Sequence, residues 1–567
     1  MTAEDGDYYD LGSYTRPVST GSPEAQRWFD RGLIWTYAFN HEEAVGCFEQ
    51  ALVADPGCAA AAWGLAYALG PNYNKPWEFF DPIDLAATVA RAHRASHTAV
   101  QHSETATAAE RSLAQALTAR YPSAEPGPDC SSWSADYAGA MRRAYRAHPD
   151  DLDVACVFAD SLMNLTPWAL WDQETGEPAG GAATVEAKNV LEEALGQPGG
   201  DSHPGVLHMY IHLMEMSPHP EAALRVADRL PGLVPDAGHL QHMPSHLDVL
   251  CGNYRGVVTA NSAAIAADTK YVARQGDMNF YTLYRAHNYH FKIYGAMFLG
   301  QVQTALQTAD ELVAAIPEQL LRVAVPPMAD WLEGFVPMRM HVLIRFGRWS
   351  EIIECPLPAD GALYCVTTTM THYAKGVAFA ATGRIAEAET QQRLFAAALD
   401  RVPETRTVFN NTCRDILAIA GAMLDGELEY RKGDYDAAFA SLRRSIDLDD
   451  NLPYDEPWGW MQPTRHAYGA LLLEQGRIVE AAAVYRADLG LDDTLSRARQ
   501  HPANVWSLHG YHECLLALGK HEMARLIGQQ LAIAGAHADV PIRSSCYCRG
   551  SAAPATTFSR NADSRSS

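Results

Sequence analysis

The feature that most constrains this chain is a recurring pair, a glycine that closes one apolar-periodic segment and an alanine five residues later that opens the next. It occurs at Gly300 and Ala305, Gly383 and Ala388, Gly433 and Ala438, Gly476 and Ala481, and Gly519 and Ala524. Glycine supplies the left-handed backbone that ends a helix, and alanine lets the following helix approach closely, so each pair marks a tight helix-turn-helix. Turn glycines lie 43 residues apart from Gly433 to Gly476 and from Gly476 to Gly519, and 48 apart from Gly252 to Gly300. A stack of such units lets 567 residues build a continuous core, and 48% hydrophobic with only 20% charged residues suits helices packed against helices.

These turns, together with Asp55-Pro56 after a second helix, resemble tetratricopeptide repeats over most of residues 24–535. The resemblance implies an all-α α-solenoid, a superhelix of helix-turn-helix repeats with a concave groove. The spacings exceed the strict period of about 34 residues, so an irregular superhelix is expected. Stretches rich in Pro, Gly and Ser at 124–134, 172–184 and 196–204 read as linkers. The expected organisation is a disordered or extended stretch over 1–20, N-terminal repeats over 21–124, and central repeats over 125–330. C-terminal repeats over 331–543 and a disordered tail over 544–567 complete it.

A net charge of −24 with no Lys/Arg-rich run argues against nucleic acid as a partner. The N-terminus is acidic without an apolar leader core, and no apolar run reaches the roughly 18 residues of a membrane span, so a cytoplasmic, membrane-free protein is expected. The 11 cysteines scatter through apolar runs, as reduced core thiols do. Cys546 and Cys548 are the exception, a weak signal for a soft metal site or a redox pair. No phosphate loop, nucleophile elbow or dinucleotide fingerprint stands in a supporting helical context.

The 22 histidines concentrate between 203 and 290. His208 and His212 are four apart, as are His242 and His246, which puts each pair on one helical face. The two pairs are offset by 34 residues. Counted back from the turn glycines, His242 and His290 occupy one register and His239 and His287 another. By the tetratricopeptide resemblance these places face the groove, giving rows His208–His242–His290, His239–His287, and His212–His246 continued by Tyr294. Imidazoles from neighbouring helices, whose axes lie about 8–10 Å apart, can share one ion. The segment His208-Met-Tyr-Ile-His212 lacks the glutamate of a His-Glu-x-x-His zinc protease. Glu215, on the same face, reads as a carboxylate ligand, a general base or a solvated helix residue.

Asp160 with Asn164, and the tyrosines Tyr210, Tyr281, Tyr284 and Tyr289, are weaker candidates for the wall of such a site. His466, His509 and Glu513 share the register in late repeats. Trp458, Trp460 and Arg465 read as a loop packed on the next repeat, or as an aromatic and cationic wall.

The GHLxHMPSH-type segment is similar to one carried by a bacterial or fungal group of tetratricopeptide proteins without a settled activity. The preferred expectation is a transition metal ion (Zn, Cu, Fe, Ni or Mn), mononuclear or dinuclear, in the groove, acting on a small molecule as a hydrolase or an oxidase. His212, His242, His246 and His290 are the leading ligands, with His208, His239 and His287 in or just behind the ligand set. Glu215 would take the proton in a hydrolytic reaction. The alternative is a scaffold that binds a peptide or protein in the groove. For that role a contact row of Asn, Lys and Arg is expected, where this chain carries histidine.

Overall fold

The computed structural model describes residues 8–550. Among them the chain forms twenty-seven α-helices, and the paired strands are Thr407–Val408 with Asn411–Thr412. The five glycine turns take the conformation the sequence demands: φ is +72° at Gly300, +78° at Gly383, +85° at Gly433, +71° at Gly476 and +68° at Gly519. In each, the residue after the glycine donates its N–H to a carbonyl five residues back, as Gln301 does to Ala296 and Lys520 to Leu515. This is the Schellman closure of a helix. The paired alanines Ala305, Ala388, Ala438, Ala481 and Ala524 are all buried, which is what lets each second helix settle on the first. The all-α solenoid therefore follows from a local rule applied repeatedly. None of the helices is long and apolar enough to cross a membrane.

Apolar side chains form one core running from Tyr9 to Tyr284 and a second from Val249 to Trp506. The histidine-bearing helices stand at the seam between them. Both ends of the described chain are tied onto the repeats. Near the N-terminus, Arg16 pairs with Asp151 and Asp153, and the Tyr14 hydroxyl donates to Asp153. At the other end, Ser545 Oγ donates to the His466 carbonyl, and Asp539 accepts from the N–H groups of Val302 and Gln303 at the start of the Val302–Ala315 helix. A disordered tail from 544 was expected, but Ser544, Ser545 and Cys548 are buried. The rest of that tail, 551–567, and residues 1–7 lie outside the described residues. Cys546 and Cys548 form a disulfide, and the other nine cysteines are free.

The concave side is covered at the histidine-bearing repeats. The segment 451–463, between the helices Tyr435–Asp450 and Thr464–Glu474, turns inward onto the early repeats. The Tyr454 hydroxyl donates to the Glu215 carbonyl at 3.3 Å, and Trp458 stacks on Tyr294 with ring centroids 5.6 Å apart. Trp460 and Met461 are buried. The superhelix curls tightly enough for late repeats to touch early ones, so the inner face becomes an interior.

Candidate metal centre

Three elements supply the site. Every residue of the Pro204–Glu215 helix is buried, so its polar positions must find partners inside the protein. Gly205 allows the helix to lie against Tyr37, because a Cβ there would come within 2.7 Å of the Tyr37 ring and of Cys156 Sγ. That approach brings His208 Nδ1 to 2.6 Å from the Tyr37 carbonyl. The second element is broken by proline into Gly238–His242 and Pro244–Leu250. It carries His239, His242 and His246. The third, Thr282–Phe298, carries His287 and His290.

The imidazoles converge in two groups of three. His208, His212 and His239 form one, His242, His246 and His287 the other, and in each the donor atoms lie within 4.8 Å of one another, an arrangement that could hold a metal ion. His208 Nε2 faces His239 Nε2 at 3.1 Å, and His242 Nε2 faces His246 Nε2 at 2.7 Å. The His287 ring lies 4.6 Å from that of His242. A third group, His212, Glu215 and His246, joins the two. Glu215 Oε1 is 3.1 Å from His212 Nδ1, and its Oε2 is 2.9 Å from His246 Nδ1.

His212 and His246 meet as their expected row has them, but other contacts are displaced by one helical turn. His208 meets His239 rather than His242, and His242 meets His287 rather than His290. The physical reason is that neighbouring helices cross at an angle and the middle one is interrupted at Pro244, so equal register does not mean equal height. His290 is left out of the cluster. Its ring packs 5.3 Å from Phe335, and neither nitrogen has a hydrogen-bond partner.

Burial lowers the pKa of His208, His212, His239, His242 and His287 well below 6.5, so these imidazoles are neutral, the form that binds metal. Burial also raises the Glu215 carboxyl, opposed by His246. No local pattern points to Glu456, yet its Oε2 lies 2.5 Å from His246 Nδ1. Burial and then the neighbouring Glu215 push its pKa well up. Asp455 beside it is also raised by burial, while the Asn411 side chain that donates to it pulls the other way.

Aromatic walls enclose the cluster, and three of them occupy strained backbone. Phe39, Trp168 and Phe409 have φ of +56°, +58° and +46°, among only four non-glycine residues with positive φ in the described residues. Phe39 packs on His208, His212 and His239, Trp168 lies 6.1 Å from His212, and Phe409 lies 4.7 Å from His287. Left-handed backbone at a bulky residue costs about 1–2 kcal/mol, and such strain concentrates where function over-determines a structure. A narrow cleft reaches the cluster, lined by Phe79, Trp168, Phe280, Tyr284 and Phe409, with His246, His287 and Asp455 on its wall.

The other sequence candidates lie elsewhere. Asp160 accepts from the Tyr67 hydroxyl and from Asn164. Tyr210 donates to Glu192, Tyr281 donates to Asp268, and Tyr289 is only partly buried. Tyr284 packs on the cluster, 5.1 Å from His239, and Tyr281 lies against the His239 backbone. His466 belongs to a separate network around Asp488, which also holds His501, Asn504 and Ser507. Glu513 pairs with Arg549, next to His509 and away from the cluster, and Arg465 pairs with Asp450.

Fold and site together define an all-α helical-repeat protein with a buried imidazole–carboxylate cluster. The chain matches no family model and no curated protein. Among solved structures it is similar to the APC/C hetero-tetramer Cut9–Hcn1, at TM-score 0.30 and 14% identity over 87% of this chain and 76% of that chain. It is also similar to Naa15/Naa10 bound to HypK-THB (TM-score 0.21, 12% identity, 90% of this chain and 70% of that chain). A third is a circular tandem repeat protein (TM-score 0.13, 11% identity, 90% and 95%). Likeness at this level leaves the fold to rest on the chain's own repeating turns.

Proposed function

We propose that the histidine–glutamate cluster is a transition-metal centre and that the chain is a metal-dependent enzyme acting on a small molecule brought in through the aromatic cleft. The observation that carries this reading is a set of buried nitrogens with no hydrogen-bond partner, His212 Nε2, His239 Nδ1 and His287 Nδ1, packed beside nitrogens that face one another. An orphaned buried polar atom costs about 1–3 kcal/mol, and buried polar atoms are nearly always paired. An ion coordinated by these imidazoles would satisfy several of them together.

Bound there, a transition metal would supply Lewis-acid or redox chemistry. The chain's own residues do the rest. Burial keeps the imidazoles neutral, the strained aromatics exclude water from the Pro204–Glu215 helix, and Glu215, in reach of His212 and His246, holds their orientation or accepts a proton. The cleft offers aromatic faces, the amides Asn74 and Asn410 and one carboxyl, Asp455, which suits a flat molecule with polar groups at its edge. A peptide scaffold would need a free inner face, whereas segment 451–463 fills it.

Metal analysis of the purified full chain tests the reading. At least one transition-metal ion per chain is expected to survive dialysis. A chain that contains none, and takes up none when offered Zn(II), Co(II), Cu(II), Fe(II) or Mn(II), would rule it out.

A further inference from the structure

The geometry points to two metal ions rather than one, each held by its own histidine triad, through Nε2 of the i, i+4 pair and one nitrogen of the third histidine, with Glu215 as a carboxylate shared behind both; this rests on the metal reading above. Nδ1 occupancy is the first argument. His208 Nδ1 is held by the Tyr37 carbonyl and His212 Nδ1 by Glu215. His242 Nδ1 is held by Asn261 Oδ1 at 2.7 Å. The orientation of Asn261 is fixed, because its Nδ2 donates to the Val257 carbonyl and to Ser245 Oγ. His242 therefore carries its proton on Nδ1, and its Nε2 presents a lone pair.

That lone pair faces His246 Nε2 at 2.7 Å. Without an ion, His246 would have to place its proton on Nε2 and accept one from the Glu215 or Glu456 carboxyl at Nδ1. With an ion between the two Nε2 atoms, His246 Nδ1–H points at those carboxyls instead. Each member of the two i, i+4 pairs then has Nδ1 on an oxygen and Nε2 free. Carbonyl or carboxylate acceptors behind metal-bound imidazoles are the usual way a protein fixes its ligands.

Two triads with no residue in common argue for two ions. A catalytic ion typically takes about three protein ligands and keeps a position open, so six imidazoles exceed what one needs. The triads sit side by side, with ring centroids 5.7 Å apart from His212 to His246 and 5.8 Å from His239 to His242. Glu215 contacts one histidine of each. They differ in access: His246 and His287 line the cleft, while the first triad is packed under Phe39 and Tyr73. An external ligand would reach the second ion first.

Loading the metal-free full chain with Co(II) tests this. Two Co(II) per chain are expected, with one retained in His239→Gln and one in His287→Gln. Azide should perturb the visible Co(II) spectrum of wild type and His239→Gln and leave that of His287→Gln unchanged. A wild-type stoichiometry of one overturns the two-ion inference and leaves the metal reading standing, whereas zero removes both. Equal azide responses in the two variants would overturn the assigned access. Wild-type stoichiometry decides nuclearity even where a variant fails to fold, which circular dichroism would reveal.

Discussion

Phe39 stacks on His212, with ring centroids 5.6 Å apart and planes 17° from parallel, from a turn position where later repeats have glycine. Asn40 donates to the Trp35 carbonyl just as Gln301 donates to Ala296, so the first repeat closes by the same motif with an aromatic residue in the left-handed place. The repeat accepts local strain and gains a wall for the histidine cluster.

Phe39→Gly should separate these two effects. Glycine relieves about 1–2 kcal/mol of backbone strain, but loss of a buried phenyl ring costs about 3–5 kcal/mol, so a net loss near 2–3 kcal/mol is expected. Metal retention should fall more than stability does, because the ring contacts three candidate ligands. Chemical denaturation and metal content on the same sample read both. A variant that melts earlier with unchanged metal would make Phe39 a packing residue only.

The turns were legible in the sequence because a Schellman closure needs glycine locally, and the alanine partner follows from helix contact. The first turn was hidden because Phe39 breaks the pattern. The histidine concentration was legible too, and so was the meeting of His212 with His246, but crossing angles and the break at Pro244 shift the other contacts by one turn. Tyr454 and Glu456 were out of reach for another reason. They stand more than 200 residues from Glu215 and arrive through the curvature of the whole superhelix, which no local pattern encodes.

Asp488 provides a structural contrast. It is buried, bonded to His466, His501, Asn504 and Ser507, and the two histidines hold its pKa well below the ordinary value against the burial that opposes them. Its folded pKa is depressed, so the stability it contributes is present above the unfolded value near 4 and lost as pH falls below it. Asp488→Leu should cost about 3–5 kcal/mol at neutral pH while leaving metal content per folded chain unchanged. Metal loss in the folded variant would show that the two networks are coupled.

Acid sensitivity should come from the buried neutral histidines, those outside the cluster among them. His341 is buried against Trp460, and burial lowers its pKa to about 3. The unfolded chain takes up a proton near pH 6.5, the folded chain near pH 3. Stability from this residue is therefore complete above pH 6.5 and declines as pH falls toward 3, by about 1.4 kcal/mol per pH unit. His341→Phe in metal-free protein should flatten the slope of unfolding free energy between pH 6 and 4 by about that amount. An unchanged slope would place the acid sensitivity elsewhere.

Metal binding should also be visible as stability. An ion that binds only the folded chain stabilises it by about 3–4 kcal/mol at 100–1,000 times its Kd, so adding Zn(II) to stripped wild type should raise the melting temperature and a chelator should reverse it. His242→Ala should lose the share of that response due to the second triad's ion. Because His242 is fully buried and its Asn261 partner would be orphaned, the metal-free variant should also start from a lower melting temperature. Tyr294→Phe is the control. Its hydroxyl is buried without a partner, so removing it should leave the metal response intact and stability unchanged or slightly higher. If wild type and His242→Ala respond equally to Zn(II), the ion binds elsewhere, and the cluster is polar packing inside a closed solenoid.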